Sequence, residues 1–185
     1  MKLDFSLTYS PIEEYNEIGY HTTYSIYKEN ILSDGFNFSN KKYEWLGEGV
    51  YFWDNEENAL WWKKDSDMFN KCIFVCRLKC EKTKYLDLDN KMQMKKFDNF
   101  LKEYLISFKR SNGYKPKFKN NDECRKYFCD VYCSNNNVSI LSFTFEHDII
   151  SSFGFKTGAI KRRQICVKNR NCISILNVKE WYYDV

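Results

Sequence analysis

Only two histidines, His21 and His147, occur among the 185 residues, and none of the eight cysteines makes a Cys-x-x-Cys pair matched by a second. Those shortages argue against a multi-histidine metal centre and against a structural zinc site, so no metal is expected. No apolar run approaches the roughly 18 residues of a spanning helix, and no membrane partner is expected. The opening Met1-Lys2-Leu3-Asp4-Phe5 has no apolar signal-peptide core, so the expected location is cytoplasmic and the cysteines are expected as reduced thiols. No internal repeat is visible. A formal charge of +4 is too small to argue for nucleic acid by itself. What is abundant is aromatic side chain, at 18%, beside 29% charged residues, which is too apolar for disorder and too charged for a membrane protein. One domain over residues 1–185 is expected, with a helical insertion at about 90–134.

The chain is organised around Gly47-Glu48-Gly49-Val50-Tyr51-Phe52-Trp53-Asp54. Two glycines relieve bulk before a stretch of high strand propensity, and they would let a flat ligand approach the backbone. Strand alternation puts Tyr51 and Trp53 on one face and Val50 and Phe52 on the other. Asp54, with Glu57 three residues on, reads as a helix N-cap and its capping-box partner, followed by a helix carrying Ala59, Trp61 and Trp62. A packed aromatic core explains this stretch as well as a ligand platform does. The third glycine of a dinucleotide-binding fingerprint is missing.

Residues 1–18 read as a lead-in with a turn at Pro11. His21 is expected between a short strand and a helix of about ten residues, capped by Thr22 or Thr23 and ended by Asp34-Gly35. Such a junction holds polar ligands well, although a lone histidine also serves as a structural residue. Residues 36–46 read as a loop. Strands are expected at Cys72–Leu78 and Lys84–Asp89, with Cys72, Cys76 and Cys80 on one face. A long helix from about residue 90 carries the stripe Phe97, Phe100, Leu101, Tyr104, Leu105 and Phe108, which is read as core. After a break at 111–117, a shorter helix holds Cys124, Cys129 and Cys133. Val138–Phe145 alternates as a strand, 146–161 reads as a mobile loop, and Gln164–Lys168 with Cys172–Leu176 reads as a β-hairpin.

Three of these pieces in order, Tyr20-His21-Thr22-Thr23, Gly47-x-Gly49-Val50-Tyr51-Phe52 and Gln164-Ile165-Cys166-Val167, resemble the ADP-ribosyltransferase superfamily in its poly(ADP-ribose)-polymerase and diphtheria-toxin-like branch. The sequence is similar to small bacterial members of it. The resemblance covers roughly residues 19–64 and 138–176. It implies an α+β fold, an ADP-ribosyltransferase-like split antiparallel β-sheet core with flanking helices. It also implies NAD as substrate. His21 would hydrogen-bond a ribose hydroxyl, the Thr22 backbone would hold the nicotinamide amide, Tyr51 would stack on the ring beside Gly49, and Trp61 would be the second stacking aromatic. Thr22 replaces the family's usual glycine, and Gln164 stands at the position of its catalytic glutamate. An amide can hold a hydroxyl but cannot act as general base, so single transfer is expected rather than polymer growth. Glu146, and after it Glu48, are the candidate replacement carboxylates; each also reads as a solvated charge.

The resemblance therefore implies a mono-ADP-ribosyltransferase acting on a macromolecular acceptor, RNA, DNA or protein, as a toxin or phage-defence effector with a possible antitoxin partner. Lys115, Lys117, Lys119, Arg162 and Arg163 could track phosphates on such an acceptor, or form a solvated face. Two alternatives stay open: a non-catalytic module that binds NAD or ADP-ribose, motivated by Gln164, and an NAD glycohydrolase.

Overall fold

A computed structural model describes residues 12–39, 41, 44–64 and 70–180. Among them the chain forms seven strands and four α-helices. In order they are β1 (Glu14–Tyr24), α1 (Lys28–Asp34), β2 (Val50–Trp53), α2 (Glu56–Lys64), β3 (Lys71–Glu81) and β4 (Tyr85–Asp87). There follow α3 (Lys91–Asn112), α4 (Asn121–Asn135), β5 (Ile140–Ile150), β6 (Lys156–Val167) and β7 (Ile173–Glu180). The fold is mixed α and β, around one sheet of order β4-β5-β6-β2-β1-β3-β7. Every strand pairing in it is antiparallel except β4 with β5. No described helix is long and apolar enough to cross a membrane.

The sheet is nearly two. β1 runs against β3 from Glu14↔Glu81 to Tyr24↔Lys71, and β2 runs against β6 from Val50↔Val167 to Trp53↔Gln164. Between those halves β1 and β2 share one register pair, Tyr20↔Trp53. Beyond it His21 to Tyr24 and Phe52 to Val50 diverge, leaving facing backbone edges without each other as partners.

Alternation along β2 divides the core as the sequence predicts. Val50 and Phe52 are buried with Phe74, Cys76, Ile165 and Val167, while Tyr51 and Trp53 face the other side of the sheet. Cys72, Cys76 and Cys80 share the Val50 face, as small buried apolar groups. On the opposite side α3 and α4 cover Leu141 and Cys166. There the stripe of α3 contributes Phe97, Leu101, Tyr104 and Leu105, and α4 contributes Cys129 and Cys133. Asn90 caps α3, accepting from the backbone N–H groups of Met92 and Gln93, and Gly113 ends it in the left-handed region.

Six sequence expectations give way. The expected lead-in is strand from Glu14 onward, and Pro11 lies outside the described residues. His21 sits inside β1, paired with Phe74, rather than at a strand end. The expected ten-residue helix is strand to Tyr24, a 3-10 turn Ser25–Tyr27 and the short α1, so Thr22 and Thr23 cap nothing. Long-range pairing with β3 outweighs the helical spacing of Tyr24, Tyr27 and Ile31. At α2 the cap is Asn55, whose Oδ1 accepts from Asn58 N at 2.8 Å, while Asp54 holds the Asn58 side chain.

The stretch 146–161 is not a loop: β5 and β6 continue through it, with Glu146↔Lys161 and Asp148↔Ala159 in register. Gln164–Val167 and β7 also do not pair with each other. β6 lies between β5 and β2, whereas β7 lies on β3 at the far edge of the sheet. The turn Arg170–Cys172 and the bond from Lys168 N to Ser139 O (2.8 Å) send the chain that way.

Candidate functional site

A cavity of about 540 Å³ opens where β1 and β2 part, within the size range of small-molecule sites. His21, Thr22, Tyr51, Trp53, Trp62 and Gln164 line it from the sheet and α2, and α1 with the following loop closes the other side through Ile31, Phe36, Lys41 and Glu44. The split in the sheet thus gathers residues that lie far apart in sequence.

His21 bridges the gap. Its Nδ1 lies 2.7 Å from the Tyr51 carbonyl oxygen, which can only accept, so Nδ1 carries the proton and Nε2 is the acceptor. Burial lowers the His21 pKa, against the opposing influences of the Tyr51 carbonyl and the Glu44 carboxylate. A neutral imidazole with a fixed tautomer results. Phe36 meets the ring edge-on at 4.9 Å and Phe52 lies at 5.7 Å, which holds its orientation.

Gln164 faces the same cavity from β6, paired on one side with Trp53 and on the other with Phe143. It is 3% exposed, and its Oε1 has no hydrogen-bond partner among the described residues. A buried amide oxygen left so costs about 1–3 kcal/mol, which a bound donor would recover. Thr22 spends its hydroxyl on the fold: Oγ1 donates to Ala59 O at 2.9 Å, tying β1 to α2.

Tyr51 lines the cavity, its side chain packs against the cluster of Leu46 and Cys166, and its hydroxyl is engaged. It accepts from Leu46 N at 2.9 Å and donates to Gly47 O at 2.5 Å, and burial drives its pKa far up. The phenol therefore stays neutral.

The two glycines before β2 serve the fold instead of a ligand. Gly47 has φ +87, and a Cβ there would fall 2.2 Å from Asp130 Oδ1. At Gly49 a Cβ would fall 2.5 Å from Cys166 Sγ and 2.8 Å from Val167 O, and this residue does not line the cavity. The close approach expected at Gly49 is made by the protein itself. Lys168 completes the anchor, donating to Leu46 O (2.8 Å), Glu48 O (2.6 Å) and Asp130 Oδ1 (2.6 Å).

Of the two adjacent tryptophans, Trp62 lines the cavity; Trp61 lies outside it, with the Arg162 guanidinium 3.7 Å over its ring. Neighbouring positions on a helix point about 100° apart, and nothing in the spacing tells which one faces the split. Glu146 is exposed on the β5–β6 hairpin and paired with Lys161 at 3.3 Å, and Glu48 is exposed on the glycine loop; neither borders the cavity. The carboxylates that do, among the described residues, are Asp34 and Glu44. The sequence points to neither as a site residue: Asp34 reads as a helix end, and Glu44, in a loop, carries no periodic signal. The expected basic tract also separates: Lys115, Lys117 and Lys119 are exposed, Arg162 is buried against Trp61, and Arg163 is bonded to Tyr85 and Ser142 on the opposite face.

Compared with known families and curated proteins, the chain matches no family model and no curated protein.

Proposed function

We propose that the chain binds NAD in the cleft between β1 and β2 and is a mono-ADP-ribosyltransferase, with the split sheet of that superfamily. The observation that carries this reading is a pair of acceptors among the residues that line the cleft: a neutral His21 held through Nδ1, and Gln164, whose buried Oε1 has no partner among the described residues. Acceptors so placed select a ligand rich in hydroxyl or amide donors, and a ribose with a carboxamide-bearing ring supplies both. Tyr51 and Trp62 are the aromatic residues of the lining that this reading assigns to a cationic ring such as nicotinamide, which ring quadrupoles attract.

In this reading His21 accepts from one ribose hydroxyl and Gln164 from another, fixing the sugar. The free backbone edge at Thr22 meets the carboxamide. The bond from ribose C1′ to the ring nitrogen breaks with its electron pair leaving on nicotinamide, and positive charge gathers on the sugar. An acceptor atom then attacks C1′ and loses its proton. Gln164 contributes position and not proton transfer, which favours one transfer per acceptor.

A second reading, a module that binds NAD without turnover, is favoured by the same buried Gln164, because no carboxylate occupies that register. One experiment separates them. Labelled NAD is incubated with the protein and a cell extract, followed by nuclease or protease digestion, beside His21→Ala and Gln164→Ala. Label on a macromolecule that is lost in both variants supports transfer and names the acceptor as nucleic acid or protein. Free ADP-ribose alone means hydrolysis, and NAD binding without either product leaves the binding module.

A further inference from the structure

We propose that Glu44 is the carboxylate that serves the reaction in this cleft, in place of the one absent at position 164. The inference rests on the reading of the cleft as an NAD site. Gln164 cannot ionise, Glu146 is paired with Lys161 on the hairpin, and Glu48 is exposed on the glycine loop and does not border the cleft. Two carboxylates border the cleft among the described residues, and they differ in setting. Asp34 is an exposed residue at the C-terminal end of α1, where the helix carbonyls already make the surroundings negative. Glu44 is half-buried, acts electrostatically on His21, and has one oxygen fixed by the Lys41 backbone N–H. Its other oxygen has no such tie among the described residues.

Fixed by one oxygen and open at the other, Glu44 can stabilise positive charge on the ribose as the C1′–N bond breaks. It can then take the proton that the attacking hydroxyl, amine or water releases as its new bond to C1′ forms. The sum is NAD and a protonated acceptor giving ADP-ribosylated acceptor, neutral nicotinamide and one proton, which Glu44 passes to solvent.

The test compares wild type with Glu44→Gln, an isosteric change that keeps an oxygen for Lys41 N. NAD affinity is measured by tryptophan fluorescence, and nicotinamide release is measured in buffer and in desalted cell extract. Glu44→Gln is expected to bind NAD within about threefold of wild type and to release nicotinamide about 100-fold more slowly, an effect on kcat and not on KM. Equal rates in the two proteins overturn the inference, as does a loss of release in Glu146→Gln that Glu44→Gln does not share. Loss of NAD binding in Glu44→Gln at an unchanged melting temperature makes Glu44 a binding group and also overturns it. Wild-type binding without any nicotinamide release overturns it while leaving a binding module. If wild type does not bind NAD, the reading of the cleft itself fails, and Glu44 with it.

Discussion

The Nδ1 of His21 reaches the carbonyl oxygen of Tyr51 at 2.7 Å, across the place where β1 and β2 stop pairing. That bond joins the two halves of the sheet and at the same time decides which imidazole nitrogen faces a ligand. Because burial lowers the His21 pKa, the unfolded chain protonates it first, near pH 6.5. Between that value and the lower folded value the unfolded state binds more protons. Stability should therefore fall as the pH drops below about 6.5 and level off once the folded histidine also protonates. Thermal melts from pH 8 to pH 5 check this, and His21→Gln should flatten the slope in that window. Glu13 and Glu81 are held below their ordinary range by Lys82 and Lys84, so their contribution is lost only at more acid pH.

The glycine loop makes a separate prediction. Gly49→Ala should cost about 2 kcal/mol, because the new methyl group meets Cys166 Sγ and the Val167 carbonyl in a packed region. Pairing it with Cys166→Ala should recover part of that loss by removing the sulfur. Gly47→Ala should cost about 3 kcal/mol, combining positive φ with the Asp130 clash, and Asp130→Ala should rescue it less well because the backbone strain remains. Urea denaturation of the single and double variants measures each term.

How far the sequence reveals this fold depends on where each side chain goes. Val50, Phe52, Cys72, Cys76 and Cys80 are buried on one face, so their period of two is visible and the strands are legible. The outer part of the β5–β6 hairpin buries little: Ile149, Ile150, Phe155 and Ile160 are exposed, and Asp148 pairs with Lys156 at 2.6 Å. Without a buried face there is no alternation to read, and that stretch resembles a loop. The site divides similarly. His21, Tyr51 and Gln164, expected together from sequence, do border one cavity, but the place of Trp62 rather than Trp61 there, and that of Glu44, depend on how α2 and the loop before Gly47 pack.

Lys168 tests whether the loop before β2 is held from outside the site. Its ammonium joins Leu46 O, Glu48 O and the Asp130 carboxylate, and its side chain is 12% exposed. Lys168→Met removes these bonds and leaves two carbonyls and part of a half-exposed carboxylate without their donor. The expected loss is about 3 kcal/mol. Since Gly47 O and Leu46 N also hold the Tyr51 hydroxyl, loosening the loop should weaken ligand binding at the Tyr51 ring without touching a ligand-facing group. Melting temperature and NAD titration on the same variant, at a temperature where it remains folded, measure the two effects separately.

The adjacent tryptophans of α2 give the sharpest contrast between packing and binding. Trp61 lies under Arg162, whose side chain is buried, and also packs against Trp53 at 6.1 Å. Trp61→Ala strips the ring from a desolvated guanidinium and should cost about 2 kcal/mol of stability, with NAD affinity little changed while the protein is folded. Trp62 reaches the cavity as well as touching Trp53 at 5.9 Å. Truncating a ring that stacks on a flat ligand costs about 1–3 kcal/mol of binding, so Trp62→Ala should weaken NAD by tenfold or more. Trp62→Phe keeps an aromatic face and should restore most of the affinity. If the two alanine variants exchange these effects, with Trp61→Ala losing affinity and Trp62→Ala losing only stability, the ligand lies on the Arg162 side of α2 and not in the split between β1 and β2.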